Sequence, residues 1–393
     1  MFSHRTNWKL TRNRLTEALD EVRSSGARVL DLTISNPTRV GLRYDEPLIL
    51  QSLASPHALD YDPQPKGLPS TLTAIASYYQ NQHGIHGFDR ERLILTTSTS
   101  EGYSFVFRLL CNAGDELLVP KPSYPLFEFL ADLQDVRLVP YPLIYDHGWQ
   151  MDFPSLEKAV TERTRGVVVV HPNNPTGSYV HSQEKEALNR FCHEREIALI
   201  ADEVFLDYAH DRAPQRSFVA NQDVLTFTLS GVSKISALPQ MKVAWIATSG
   251  PEQEVKVAQA RLEVIADTFL SMNAPIQWAT PTLLEQRKSI QQQLLDRVLG
   301  NLAELDRQLA AQKTCERLSV EGGWYAVMRV PVTQTDEELA VDLLRRKSVL
   351  VHPGHFYDFS SDGYLVLSLI TPKDEFAEGI GRLLEMMMVD CDR

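Results

Sequence analysis

The stretch SGVSKISALPQMKVAW, residues 230–245, sets two lysines between two strand-like runs. Lys234 follows VLTFTLS (224–230) and lies among Ser230, Ser233 and Ser236, while Lys242 opens the apolar run VAWIA. A lone lysine is commonly a solvated charge, so its chemistry depends on what converges with it. Three other stretches bring reactive or binding groups. RLILTTS runs into TSEGYSF, which puts Thr97, Ser98, Thr99 and Ser100 just before a helix. Hydroxyls beside the free N–H groups and positive dipole of a helix start make a phosphate cradle, although hydroxyls also cap helices for structural reasons alone. IALIADEVF leaves Asp202 and Glu203 where an apolar run ends, and a carboxylate there needs a cation or strong hydrogen bonds. GVVVVHP leads into NNPTG, which sets Asn174 in turn-forming sequence.

These groups must be positioned by the apolar runs that precede them. Seven such runs occur: RLILTTS (92–98), ELLVP (116–120), RLVPYPL (137–143), GVVVVHP (166–172), IALIADEVF (197–205), VLTFTLS (224–230) and VAWIATS (243–249). Helix-like segments at 100–112, 123–134 and 182–195 stand between several of them. Runs apolar on both faces and alternating with helices specify a mainly parallel sheet covered on both sides. Ligands of such sheets bind at the carboxyl ends of the strands. Residues 12–25 form an amphipathic helix stopped by Gly26, followed by the strand-like VLDLTIS (29–35). After Pro281 a long helix is expected, with Leu294, Leu295, Val298, Leu302, Leu305 and Leu309 as a packing stripe, and residues 318–390 mix strands and helices.

Composition narrows the function. A net charge of −12 over 393 residues, with scattered basic residues, offers no footprint for nucleic acid. Cys111, Cys192, Cys315 and Cys391 lie far apart without a C-x-x-C pair, a pattern of reduced thiols and not of a disulfide frame or metal site. MFSHRTNWKLTRNR lacks the apolar core of a signal peptide, and no run is long enough to span a membrane. The expected location is cytoplasmic.

The order of hydroxyl-rich helix start, aromatic after proline (PSY, 122–124), N-P-T-G, Asp-Glu and Ser-Lys resembles the aminotransferase class I/II family, aspartate aminotransferase-like enzymes of fold type I that use pyridoxal phosphate. The matching pieces run over roughly residues 28–385: SNPT (35–38), YDPQPKG (61–67), TSTSEG (97–102), AGDELLVPKPSY (113–124), HPNNPTG (171–177), ADEVF (201–205), SK (233–234), GGWYAV (322–327) and HPG (352–354). The resemblance implies that Lys234 is the Schiff-base lysine and proton shuttle, and that Asp202 pairs with the cofactor's pyridine nitrogen. It implies that Asn174 bonds the ring's 3′ oxygen, that Tyr124 lies against the ring face, and that Thr99, Ser100 and Ser233 hold the phosphate. Tyr61 would reach the phosphate of a neighbouring subunit, which implies a homodimer with shared sites. Pattern and resemblance together give an α/β fold. A mainly parallel seven-stranded sheet sandwiched by helices forms a large domain, 46–284, and a smaller α+β domain is built from 1–45 plus 285–393.

The sequence departs from the family pattern in three places. Lys242 stands where an arginine normally grips the phosphate, keeping the charge without the bidentate fork. Phe205 replaces a tyrosine that donates to the cofactor's 3′ oxygen, with Tyr208 as the nearest alternative donor. Val366, in YLVLSLIT (364–371), replaces the arginine that clamps the substrate's α-carboxylate, a charge-assisted contact worth about 1.5–3 kcal/mol. Arg39 in SNPTR, with Asn36 beside it, is the expected substitute at the substrate end, and Arg43 is second choice. The expected function is ping-pong transfer of an amino group from an amino acid or amine to a 2-oxo acid. The alternatives are a carbon–sulfur β-lyase using the same cofactor and a binding or regulatory protein with reduced catalysis on the same scaffold.

Overall fold

The computed structural model describes residues 1–212 and 216–391. Asp392 and Arg393, the end of the expected small domain, and the side chain of Cys391 lie outside the described residues.

All seven apolar runs form strands of one sheet, and the sheet has an eighth. Its order is Leu93–Thr96, Ala244–Ser249, Thr226–Gly231, Ala198–Asp202, Thr164–Val170, Glu116–Lys121, Arg137–Tyr145 and Trp149–Met151. The pairings from Thr226–Gly231 to Arg137–Tyr145 are parallel, whereas Ala244–Ser249 runs antiparallel to both of its neighbours. The additional strand, Trp149–Met151, folds back on Arg137–Tyr145 as an antiparallel edge. Three residues with only alternate positions buried give no run to read in the sequence.

The central strands bury every residue from Ala198 to Asp202 and from Thr226 to Gly231. Such two-sided burial needs helices on both faces. Thr99–Leu110 packs on one side, and its Gly102 lies so close to the sheet that an added Cβ would come within 2.5 Å of Leu229 Cδ2. The three helices expected between strands are present as Thr99–Leu110, Leu126–Asp132 and Ser182–Arg195.

The long helix runs over Arg287–Leu309, and Ile290, Leu294, Leu295, Val298 and Leu305 are buried along it. Pro281 does not mark its approach. It sits inside a separate helix, Ala274–Glu285. A proline there leaves the carbonyl four residues back without its helical donor. That carbonyl belongs to Gln277, and the Thr71 hydroxyl donates to it at 2.7 Å.

One core cluster gathers Leu15, Ala18 and Val22 of the helix Arg14–Ser24 with Leu294, Val298, Trp324, Val366 and Phe376 from the carboxyl-terminal third. VLDLTIS contributes only the two-residue strand Leu30–Asp31, which pairs in parallel with Val349–Leu350. A separate four-stranded antiparallel sheet is ordered Glu316–Arg317, Tyr325–Arg329, Tyr364–Ser368, His352–Pro353. Its face meets the carboxyl ends of the large sheet's strands.

Gly177, in the NNPTG turn, joins these two parts. Its φ is +69°, its carbonyl accepts from Gly322 N at 2.9 Å, and a Cβ there would stand 2.5 Å from Gly322 O. Gly177→Ala therefore combines a left-handed backbone penalty of about 1–2 kcal/mol with a backbone clash. It should lower the denaturant midpoint by the equivalent of at least about 2 kcal/mol. A midpoint within 0.5 kcal/mol of the parent would contradict this close approach.

Candidate active site

A cavity of about 390 Å³ opens where the carboxyl ends of the strands face the small sheet. Of the residues singled out in the sequence, Thr99, Ser100, Tyr124, Asn174, Asp202, Ser233 and Lys234 line it. Each stands at the end of a strand or in the turn or helix start that follows, because there the chain leaves the sheet and its side chains are free to converge.

Asp202 ends its strand buried at the cavity wall. Its Oδ2 accepts from Tyr103 Oη at 2.9 Å and its Oδ1 from Val204 N at 3.0 Å. Burial pushes this carboxyl up to about 6, against the opposing pull of those two hydrogen bonds and of the Lys234 ammonium. Lys234 moves the opposite way for the same reason: burial brings its ammonium down to about 8, and Asp202 partly restores it. The lysine Nζ lies 4.8 Å from the Trp324 ring centroid and 5.3 Å from that of Phe205. Glu203, also buried, turns away. It accepts from Ser217 Oγ at 2.6 Å and Phe218 N at 2.5 Å, a structural role.

The turn that carries Lys234 is gripped from three elements. Tyr208 Oη donates to Lys234 O at 2.6 Å, Gln291 Nε2 to Ile235 O at 2.9 Å, and Tyr44 Oη to Ala237 O at 2.9 Å. Tyr208 is thus committed behind the lysine and is not a free donor at the cavity. Phe205, packed edge-on against Trp324, brings a ring and no hydroxyl.

The residues present fit pyridoxal phosphate. Asn174 is buried, yet its side chain makes no hydrogen bond to any described residue, and its Oδ1 is fully enclosed. An unused buried amide at a cavity wall calls for a ligand. Ser98 caps the helix Thr99–Leu110 by accepting from Glu101 N at 3.2 Å, which leaves the Thr99 and Ser100 N–H groups for an anion. Gly231 lines the cavity, and an added Cβ there would stand 2.7 Å from Val243 O, so the close approach of the neighbouring strand requires glycine.

Other expected residues lie apart from the cavity. Lys242 is exposed, in left-handed conformation at φ +55°, two residues before Ala244, which does line the cavity. Tyr61 is 83% exposed. Asn36 accepts from Thr38 N at 3.0 Å and caps the turn Pro37–Arg39, and both Asn36 and Arg39 are exposed next to Ser35, a lining residue. Arg43 is exposed as well. Val366 is buried, paired across the small sheet with Val327 on one side and His352 on the other. Directly paired residues share a sheet face, so Val366 lies on the face that carries His352 and Tyr325 to the cavity.

Sequence reasoning assigned no role to Tyr103, Tyr325, His352 or Tyr357, all of which line the cavity. Tyr103 was within reach of a sequence argument: it follows Thr99 by one helical turn and so shares its face. Tyr325 and His352 lie in the stretches GGWYAV and HPG that mark the resemblance, but only strand register, and a turn for Tyr357, bring them to the cavity.

The Asp202 values predict a stability effect. Its folded value lies above the ordinary carboxyl range, so in cofactor-free protein the buried charge costs stability in full above about pH 6. That cost fades as pH falls from there toward the ordinary carboxyl value. Cofactor-free Asp202→Asn should therefore melt no lower than wild type at pH 7.5, with any advantage shrinking by pH 5. The melting-temperature gain on adding pyridoxal phosphate should be largely lost in the variant. A variant that melts lower when cofactor-free but keeps that gain would reverse the assignment.

Comparison with known proteins agrees with this geometry. The model of the family "Aminotransferase class I and II" matches residues 49–380. The alanine aminotransferase of Mycobacterium tuberculosis is 29% identical over 373 residues, covering 92% of this chain and 86% of its own. The glutamate-pyruvate aminotransferase AlaA of Haemophilus influenzae is 28% identical over 382 residues, covering 94% and 93%. The solved alanine aminotransferase from Pyrococcus furiosus has the same fold, with a TM-score of 0.90 at 22% identity over 99% of this chain and 100% of its own. The chain belongs to the aminotransferase class I and II family and is a pyridoxal-phosphate-dependent aminotransferase.

Proposed function

We propose that the cavity transfers the amino group of amino acids with apolar side chains, alanine among them, to a 2-oxo acid, with Lys234 and Asp202 as its catalytic pair. Pyridoxal phosphate supplies an aldehyde that condenses with amines and a ring that withdraws electrons. Lys234 would hold the cofactor through Nζ, and with its basicity lowered toward neutrality it is suited to take up and return a proton there. Asp202 keeps a proton on the ring nitrogen, and Tyr103 orients the carboxylate. Asn174 donates to the ring's 3′ oxygen, Tyr124 covers the ring face, and Thr99, Ser100 and Ser233 hold the phosphate. Asn36 and Arg39 border the substrate end.

The observation that carries this reading is the meeting of Lys234, Asp202 and the unpartnered Asn174 amide in one cavity. Phe127, Leu130 and Val204 in its walls, together with relatives that act on alanine, support an apolar donor. We read the molecule as a cytoplasmic homodimer in which Tyr61 of one subunit reaches the phosphate end of the other, while Lys242 stands where the family's arginine grips the phosphate. Both residues are exposed outside their own cavity, Leu50, Leu59, Phe269 and Leu270 are exposed apolar side chains, and the free thiols Cys111 and Cys192 suit a reducing compartment. We assign residues 46–284 to the cofactor-holding domain and 1–45 plus 285–393 to the smaller one.

Visible absorbance of the protein with pyridoxal phosphate tests the site. A Schiff-base band should form, bleach with alanine and return with pyruvate. Lys234→Ala should abolish the band and lower turnover by about a thousandfold or more. Bleaching by aspartate but not by alanine would sink the apolar-donor reading. Light scattering should give a mass of twice 44.4 kDa, and a monomer mass would remove the shared site.

A further inference from the structure

The far wall of the cavity poses a problem that the proposed transamination leaves open. Among the described residues lining it, only Lys234 and His352 carry basic side chains. Lys234 is already assigned to the cofactor, and the strand position opposite His352 holds Val366, which is 1% exposed and apolar. An amino-acid carboxylate entering here meets no guanidinium of this chain's cavity wall.

It meets instead an imidazole among phenols. His352 Nδ1 and Tyr357 Oη are 3.0 Å apart, and the imidazole has no other hydrogen-bond partner among the described residues, so its Nε2 is unused. Among the described residues none hydrogen-bonds the Tyr325 or Tyr124 hydroxyl, and both residues line the cavity together with Tyr357. The wall is fixed in place. Ser123 N donates to Tyr357 O at 2.9 Å, which ties the turn Gly354–Tyr357 to the residue before Tyr124. Tyr325 is held by its pairing with Ser368, whose Oγ donates to Ile34 O at 2.5 Å.

We propose that this wall, with His352 as the specificity-determining residue, receives the substrate's carboxylate by hydrogen bonds where other members of the family use an arginine. The inference rests on the transamination reading above for the identity of the ligand. Burial lowers the His352 imidazolium below its ordinary value, with Asp31 opposing, so the ring presents itself as a neutral donor and not as a fixed cation. A neutral wall discriminates less sharply than a guanidinium between a carboxylate and its uncharged amide, because a hydrogen bond to a charged partner is the stronger one. The site should therefore take amino-acid amides as well as amino acids.

Binding to the cofactor-loaded full-length protein tests this without turnover. The probes are 3-phenylpropionate, which carries a carboxylate and an apolar chain but no amine, and its amide, 3-phenylpropanamide. Calorimetry should show the two binding within about tenfold of each other in wild type. His352→Ala should weaken the acid by about tenfold and change the amide less than twofold, and His352→Gln, which restores a donor, should recover part of the loss. Arg39→Ala should weaken the acid less than His352→Ala does. The proposal fails if the acid does not bind wild type, if His352→Ala leaves its affinity intact, if acid and amide fall together, or if Arg39→Ala carries the loss. The Lys234-dependent absorbance band, read on the same samples, separates these outcomes from a failure of the cofactor site itself.

Discussion

A carboxylate at the end of a central strand, with helices over both faces of its sheet, is costly unless hydrogen bonds or a positive charge offset its burial. Asp202 imposes that demand, and most of the site answers it. Two hydrogen bonds, from Tyr103 and Val204, satisfy its oxygens without neutralising it. The Lys234 ammonium lowers its cost but is itself disfavoured by the same burial. Two oppositely charged groups, each destabilised by its surroundings, make a site that would gain from a cationic ring beside Asp202. Pyridoxal phosphate would supply such a ring, and Lys234, with its basicity lowered, would be the amine to hold it.

The remaining parts serve to hold this pair at a fixed separation. The five strands from Thr226–Gly231 to Arg137–Tyr145 are parallel, so their carboxyl ends all open on one side. The small sheet, which begins at Glu316, well downstream of Lys234, closes that side with Tyr325 and His352. Gly177 permits the contact, because a side chain at this point would hold the two parts away from each other.

Much of this was legible in the sequence because it is local. A run such as GVVVVHP or IALIADEVF announces its own strand, and a functional group at its end needs only the chain to leave the sheet there. Lys234, Asp202, Asn174, Thr99, Ser100, Ser233 and Tyr124 reach the cavity in this way. Features that depend on distant partners were not legible. Pro281 sits within a helix because the hydroxyl of Thr71, far away in sequence, takes the carbonyl that proline strands. His352 faces the cavity because a two-residue strand pairs with Val366. Tyr208, the nearest candidate for the missing tyrosine donor, is turned to the lysine's backbone by packing against Trp324.

The grip on the lysine turn has a consequence for the amino terminus. Tyr44 holds the Ala237 carbonyl, and residues 40–43 are strapped to the helix Arg287–Leu309: Gln293 bonds both Arg43 N and Arg43 O, and Arg297 bonds Val40 O. The first forty-odd residues are thus a latch on the catalytic turn and not a detachable arm. A protease that cut just after Tyr44 would loosen the lysine's anchorage from a point that never touches the substrate, and it would leave the sheet and the phosphate cradle untouched.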